Sequence, residues 1–324
     1  MSADAPAAGG QLIPPAAGAS GGVIHDIGYR RYEGPRLGRA QIVRALSLSS
    51  LRAAFGFGRG AKAKIFPALL FALMMLPAVV NAVALAKDPA GGAIVGYDSY
   101  VPGLRTVAML IFVALEAPNL VSADLRNHTL PLYFARPIKR IDYPAAKLVA
   151  FVLACLAMIE IPLLALYIGN ITQAHGPSAV WAQTRQLGPG LLYGAAWAVL
   201  LASVGLLLAS ATGKRVFAIC AIGIPLFFTW ILATVLIHVG TQAFGPSSTF
   251  RPSALASLAG LINPFTLLGG LLRWLQATPR IGGAAVVEGT PVGSYGPLYG
   301  LVFALLTVAA IAGLIARYRK VAVA

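Results

Sequence analysis

Six apolar runs, each about as long as the hydrocarbon core of a bilayer requires, constrain this chain more than any other feature of its sequence. A helix crossing ~30 Å at ~1.5 Å per residue needs roughly 20 mostly apolar residues. The runs are Ile65 to Ala86, Val101 to Val121, Ala146 to Gly169, Leu191 to Ser210, Val216 to Val239 and Pro297 to Ala316. Composition agrees, since 58% of the 324 residues are hydrophobic and only 11% are charged, which is not the usage of a soluble globular domain. Backbone amides in lipid must be satisfied within the segment, and the runs lack the alternation of barrel strands. The expected fold class is therefore an all-α integral membrane protein with six transmembrane helices. Pro77, Pro162 and Pro225 fall inside the runs and are candidate kinks.

Orientation follows from the Lys and Arg residues, because basic loops are retained on the cytoplasmic side. With six spans both termini share a face. That face carries nine basic residues between Arg30 and Lys64, five from Arg126 to Lys147, then Lys214, Arg215, Arg317, Arg319 and Lys320, 19 in all. The other holds six: Lys87, Arg105, Arg185, Arg251, Arg273 and Arg280. Both termini are predicted cytoplasmic. A net charge of +15 also raises nucleic acid as a partner. The one-sided placement and the lack of an aromatic platform point instead to orientation and to anionic membrane lipid.

Four further segments complete the layout. Residues 1–22 are mainly Ala, Gly and Pro, with neither the basic start nor the apolar core of a signal peptide, and are expected to be a disordered tail. Residues 23–64 read as a cytoplasmic juxtamembrane arm. Within it Ile42, Val43, Leu46, Leu48, Leu51 and Phe55, set among Arg44, Arg52 and Arg59, predict an interfacial helix. The connection 240–296, on the outer face, contains two apolar stretches too short to span, Ala254 to Ile262 and Phe265 to Leu275, divided by Asn263-Pro264. They read equally as short helices dipping into the membrane and as an outer cap on the bundle. Residues 317–324 form a short cytoplasmic tail.

The chain shows no catalytic signature. A phosphate-binding loop needs G-x-x-x-x-G-K-[ST], but Gly213-Lys214 is followed by Arg215 and has Leu208 where the first glycine belongs. The chain is not expected to be an enzyme, nor to hydrolyse ATP itself. Cys155 and Cys220 fall in separate spans and read as packing residues; His25, His128, His175 and His238 are scattered, so no metal centre is implied. Ionisable residues within the spans are the remaining candidates, because charge in a bilayer is costly. Glu160 lies well inside the third span and suits either a transport conduit or gate, or structural pairing. Glu116 and Arg105, near opposite ends of the second span, suit boundary anchoring, with a pathway role for Glu116 as the sharper reading.

The loop 122–145 has more structure than a linker requires. Asp124 is placed to cap a helix running from Leu125 to Phe134, with Leu125, Thr129 and Leu132 on one face and Pro131 as a break. Arg136-Pro137 ends it, and Lys139, Arg140 and Asp142 turn the chain into the third span. A short amphipathic helix on the cytoplasmic face is suited to docking in a groove of another protein.

The run DLRNHTLPLYFARPIKRIDYPAAK resembles the cytoplasmic loop of type 2 ABC exporter permeases, with its acidic-Arg pair, Thr-Leu, Leu, Arg-Pro, basic residue and Lys at the next span. Asn263-Pro264-Phe265 before the last span, the outer loop with its two short apolar stretches and the six-span count are similar to these permeases, and GYRRYEGPRLGRA resembles the N-terminal arm of a bacterial branch of the same family. The resemblance implies a permease subunit in the bacterial cytoplasmic (inner) membrane, assembled with a second permease chain, identical or not. Beneath them would dock a dimer of separate ABC ATPase subunits that bind ATP and Mg, with no cofactor on this chain. It also implies that the loop is a coupling helix, in which Asp124, Arg126, Thr129, Leu130, Leu132, Arg136 and Pro137 form or brace the ATPase contact. The rival is an ion-coupled carrier or channel with Glu160 as the ion site.

Overall fold

The computed structural model describes residue 34 and residues 38–88, 102–127, 129–135, 137–174, 176–242, 254–277 and 292–321. The chain divides into a unit Met1–Leu37, in which only Gly34 is described, and a body Gly38–Ala324. The expected tail 1–22 lies outside the described residues, as do most of the arm before Gly38, Arg136 and His128.

The described body is helical, with no strand among its described residues. Its elements are α1 (Arg39–Ala54), α2 (Ala61–Lys87), α3 (Pro102–Leu120), α4 (Ser122–Arg126), α5 (Leu130–Phe134), α6 (Asp142–Ile171), α7 (Pro177–Ser210), α8 (Arg215–Gln242), α9 (Ala254–Ala259), α10 (Pro264–Ala277), a 3-10 turn at Gly293–Tyr295 and α11 (Gly296–Val321). Six helices are long and apolar enough to cross a membrane: α2, α3 continuing into α4, α6, α7, α8 and α11. They match the six apolar runs, and the protein is a multi-pass membrane protein in its architecture. Pro77, Pro162 and Pro225 are accommodated within continuous helices, as are Pro67, Pro118 and Pro189.

α6 and α7 form the central pair. α1 and α2 pack on α6, α11 packs on α7, and α3 bridges α7 and α8. Phe112 of α3 and Phe151 of α6 stack with centroids 6.0 Å apart, and Phe55 lies 6.1 Å from Phe112 at the end of α1. α3 is the most enclosed span, whereas α2, α8 and α11 turn large apolar side chains such as Leu69, Phe228 and Leu305 outward. In water such a surface would be an aggregation liability; against acyl chains it is the normal exterior. Cys155 is buried in α6, but Cys220 lies exposed on α8, so only the first packs inside the bundle.

α1 joins α2 through a tight elbow that requires glycine. Gly56 has φ +73°, and a Cβ there would stand 2.4 Å from the carbonyl oxygen of Ala63. Any side chain would meet both backbone strain and a clash.

α9 and α10 are the two short apolar stretches of the long connection, a helix–turn–helix hairpin in which α9 packs on α8 and α10 on α7, α8 and α11. Its tip reaches Leu226 and Thr229 of α8 and Trp197 of α7. Trp197 is thirteen residues before the end of α7 at Ser210, or ~20 Å along its axis. The hairpin tip therefore sits beside the middle of the bundle rather than on its rim.

Candidate functional site

The ends of α1, α6, α7 and α11 meet at one pole of the bundle, and the loop 122–141 is built onto them. The single capped helix expected from Leu125 to Phe134 is instead two helices, α4 and α5, separated at residues 127–129. The break precedes Pro131, which occupies the first turn of α5, where its missing N–H costs nothing. Asp124 does not cap: it lies inside α4, whose N-cap Val121 makes no side-chain bond. The separation also removes the shared face. Leu125 packs against the core and Thr129 is half-buried, while Leu132 points away at 71% exposure.

Asp124 is instead the anchor of a clamp. Its Oδ2 accepts the Tyr143 hydroxyl at 2.6 Å and pairs with the Lys147 ammonium at 2.9 Å, and the Thr129 hydroxyl reaches Oδ1 at 3.4 Å. Lys147 is buried, and its charge also lies 5.5 Å above the Tyr143 ring. Tyr143 packs on Tyr133 of α5 and on Tyr318 of α11, with centroids 5.4 and 5.1 Å away. One tyrosine thus joins loop, third span and last span. Ser122 donates to the carbonyl of Ala209 at 2.8 Å, and Arg317 donates to the carbonyls of Ser210 and Ala211. These carbonyls belong to the last turn of α7, which has no intrahelical donors left.

Arg39 adds a second clamp from α1. Its Nε and Nη2 donate to Oδ2 and Oδ1 of Asp142 at 2.6 and 2.5 Å, and the Lys139 backbone N–H donates to Oδ2 at 2.8 Å. The hydrogen bond to Asp142 pushes the Arg39 guanidinium up from its ordinary value. Between the clamps, Arg126, Leu132 and Pro137 are exposed, and Leu130 is buried in the core. Of the seven expected contact residues, Asp124, Thr129 and Leu130 hold the loop, Arg126, Leu132 and Pro137 face outward, and Arg136 lies outside the described residues.

The intramembrane acids are far apart. Glu116 is buried and accepts from Asn119 Nδ2 at 2.8 Å, with Arg59 and Arg215 in electrostatic reach. Glu160 belongs with Arg105, eleven residues or ~16 Å before Glu116 along α3. Arg105 is buried rather than anchored at a water boundary, and its guanidinium lies 5.0 and 5.2 Å from the ring centroids of Tyr193 and Trp197. Glu160 lies over Gly194 of α7, where a Cβ would fall 2.0 Å from Oε1, so the absent side chain makes room for the carboxylate. Both carboxylate oxygens, Arg105 Nε and Trp197 Nε1 are enclosed without a hydrogen-bond partner among the described residues.

Three polar contacts outside the expected set hold the spans. Asn81 of α2 donates to Asn170 of α6 at 2.7 Å, both buried. Asn263 accepts the Phe265 N–H at 2.8 Å as the N-cap of α10, and its Nδ2 donates to the Leu226 carbonyl at 2.8 Å and to Thr229 Oγ1 at 2.7 Å. The Tyr299 hydroxyl donates to the Ser257 carbonyl at 2.6 Å. Polar residues inside apolar runs are the sequence signal for such contacts, whereas Arg39 and Asp142, 103 positions apart, carry none. No three His, Cys, Asp or Glu side chains among the described residues are grouped to hold a metal ion. No family model and no curated protein matches this chain.

Proposed function

We propose that this chain is the membrane-spanning permease subunit of an ATP-driven exporter, with both termini cytoplasmic and with ATP hydrolysis, ATP and Mg on a separate ATPase dimer. The observation that carries the reading is the loop 122–141: it exposes Leu132 and Arg126 outward while the Asp124–Lys147–Tyr143 clamp fixes it to α6 and α11. A loop that transmits force must be stiff toward the spans and open toward its motor. α4 extends the second span, whereas α5 is only 5 residues long and would not persist alone, so its rigidity comes from these tertiary contacts. Movement of an ATPase against Leu132 and Arg126 would then be delivered to α6 through Asp124 and Lys147, and to α11 through Tyr143 and Tyr318. A second permease chain would complete the pathway.

The test is stimulated ATP hydrolysis by the chain co-expressed with its candidate ATPase and reconstituted in lipid. Arg126→Glu and Leu132→Asp are expected to abolish stimulation while insertion and helicity stay unchanged. Full stimulation in both variants would remove the docking assignment.

The enclosed carboxylate of Glu160, without a hydrogen-bond partner among the described residues, favours a second reading, an ion-coupled carrier in which this acid binds the coupling cation. Glu160→Gln then alters transport driven by an ion gradient with no ATPase present. Under the exporter reading, transport by the chain alone is absent.

A further inference from the structure

α1 buries Leu46, Ser50 and Ala54 against the bundle and turns a second face outward. Ala45, Leu48, Ser49 and Arg52 of that face, with Phe57 and Gly58 of the elbow, line an open groove of about 840 Å³. Leu48 and Phe57 are 49% and 57% exposed, an apolar floor at the entrance to a spanning helix. Its rim is cationic: Arg52 lines it, and the Lys64 ammonium lies 5.7 Å from the Phe57 ring centroid.

Among the described residues, no ion pair compensates the charge of Arg52 or Lys64. From Gly34 to Lys87 the sequence contains no Asp or Glu, while Arg36, Arg39, Arg44, Arg52, Arg59, Lys62 and Lys64 are basic. Two acids that interact with this arm or face its basic residues are already engaged, Asp142 by Arg39 and Glu116 by Asn119. Among the described residues no carboxylate lies within ion-pair distance of Arg52 or Lys64. Directly beyond Lys64, Ile65 and Leu69 are 64% and 62% exposed on α2, so the groove stands where the first span leaves the headgroup level.

We propose that this elbow binds an anionic phospholipid, with its phosphate between Arg52 and Lys64 and its acyl portion against Leu48 and Phe57. The apolar floor and cationic rim match the two halves of such a lipid, whereas a zwitterionic headgroup would bring its own cation to the rim. Gly56 makes the site, because it folds the elbow that brings Phe57 beneath Lys64. The proposal requires only that the six helices span a membrane and is independent of the permease reading.

The full chain, purified in detergent, is titrated with dioleoyl phosphatidylglycerol or dioleoyl phosphatidylcholine, and retained lipid is counted by native mass spectrometry. The expected result is preferential retention of phosphatidylglycerol. A basic residue near an anionic headgroup contributes about five-fold, so the double variant R52Q/K64Q is expected to lower that preference by about 30-fold. R319Q/K320Q, which removes the same charge at the end of α11, is expected to keep it. A photoactivatable phosphatidylglycerol should label residues 45–58 of the unaltered chain, a readout that does not depend on any variant folding. Equal retention of the two lipids, equal loss in both double variants, or labelling elsewhere would each overturn the site.

Discussion

The loop 122–141 and the α9–α10 hairpin are both short helix pairs seated on the bundle, the first on α6, α7 and α11 and the second on α7, α8 and α11, yet they are held by opposite chemistry. The loop is pinned by charge: Asp124 to Lys147, and the Lys139 N–H to the Asp142 carboxylate that Arg39 pairs. The hairpin is pinned by neutral groups: Asn263 to α8, Tyr299 to Ser257, and Trp197 against Phe265 at 5.0 Å. Position explains the contrast. At the pole, water lowers the cost of bringing ions together, whereas beside the middle of α7 and α8 an unpaired charge costs far more than an amide. The hairpin tip also satisfies its own backbone, with Thr266 Oγ1 donating to the Gly260 carbonyl at 2.9 Å and the Leu267 N–H to the Asn263 carbonyl at 2.9 Å. Irregular backbone at that depth is tolerable only when protein supplies such partners.

Removing one side of each clamp separates the two mechanisms. Asp124→Ala strands a buried ammonium and is expected to destabilise by ~3 to 5 kcal/mol, read as a lowered unfolding midpoint in lipid discs. D124N/K147M, which removes both charges, should regain most of that loss; if it is as unstable as Asp124→Ala, the ion pair is not the holding element. Asn263→Ala removes a cap and two interhelix bonds and is expected to cost ~1 to 3 kcal/mol, with faster amide exchange over 254–267. Asn263→Asp keeps the acceptor for Phe265 but cannot donate to Leu226 and sets a carboxylate at mid-bundle depth, so it should be more destabilising than Asn263→Ala. Equal exchange in all three proteins would show that apolar packing alone seats the hairpin.

Two smaller effects sharpen the same contrast. Asn170→Leu leaves the Asn81 amide without that acceptor between α2 and α6 and is expected to cost ~0.6 to 2 kcal/mol. Adding Asn81→Leu should recover part of it. Arg39→Gln is expected to have the smallest effect of these, because the Arg39 side chain is 47% exposed, and that effect should shrink in 0.5 M salt. The Asn170 effect should not change with salt. A strong salt response there would contradict its buried, uncharged character.

Much of the hairpin was legible in the residues themselves. Asn263-Pro264 is a cap followed by a proline at the first helical position, so the boundary of α10 is written locally. The loop was less so. Pro131 marks a helix start as readily as a break, and the partners that hold Asp124, Tyr143 and Lys147, come from another helix. Glu160 was visible as an acid in an apolar run, but its neighbours were not. Arg105, Tyr193 and Trp197 come from two other helices, and the space for its carboxylate is an absent side chain at Gly194.

The sequence by itself determined the six spans, the uneven spread of charge between their connections and the two short helices before the last span, because each is a property of neighbouring residues: apolar length, basic flanks, cap and proline. Only the tertiary structure decided which charges meet, where the loop breaks, which glycines admit a neighbour and how deep the hairpin reaches. Those outcomes depend on side chains from helices tens to a hundred residues apart being brought within ~3 Å, where the strength of a hydrogen bond or ion pair is set by distance and by surrounding water rather than by position along the chain.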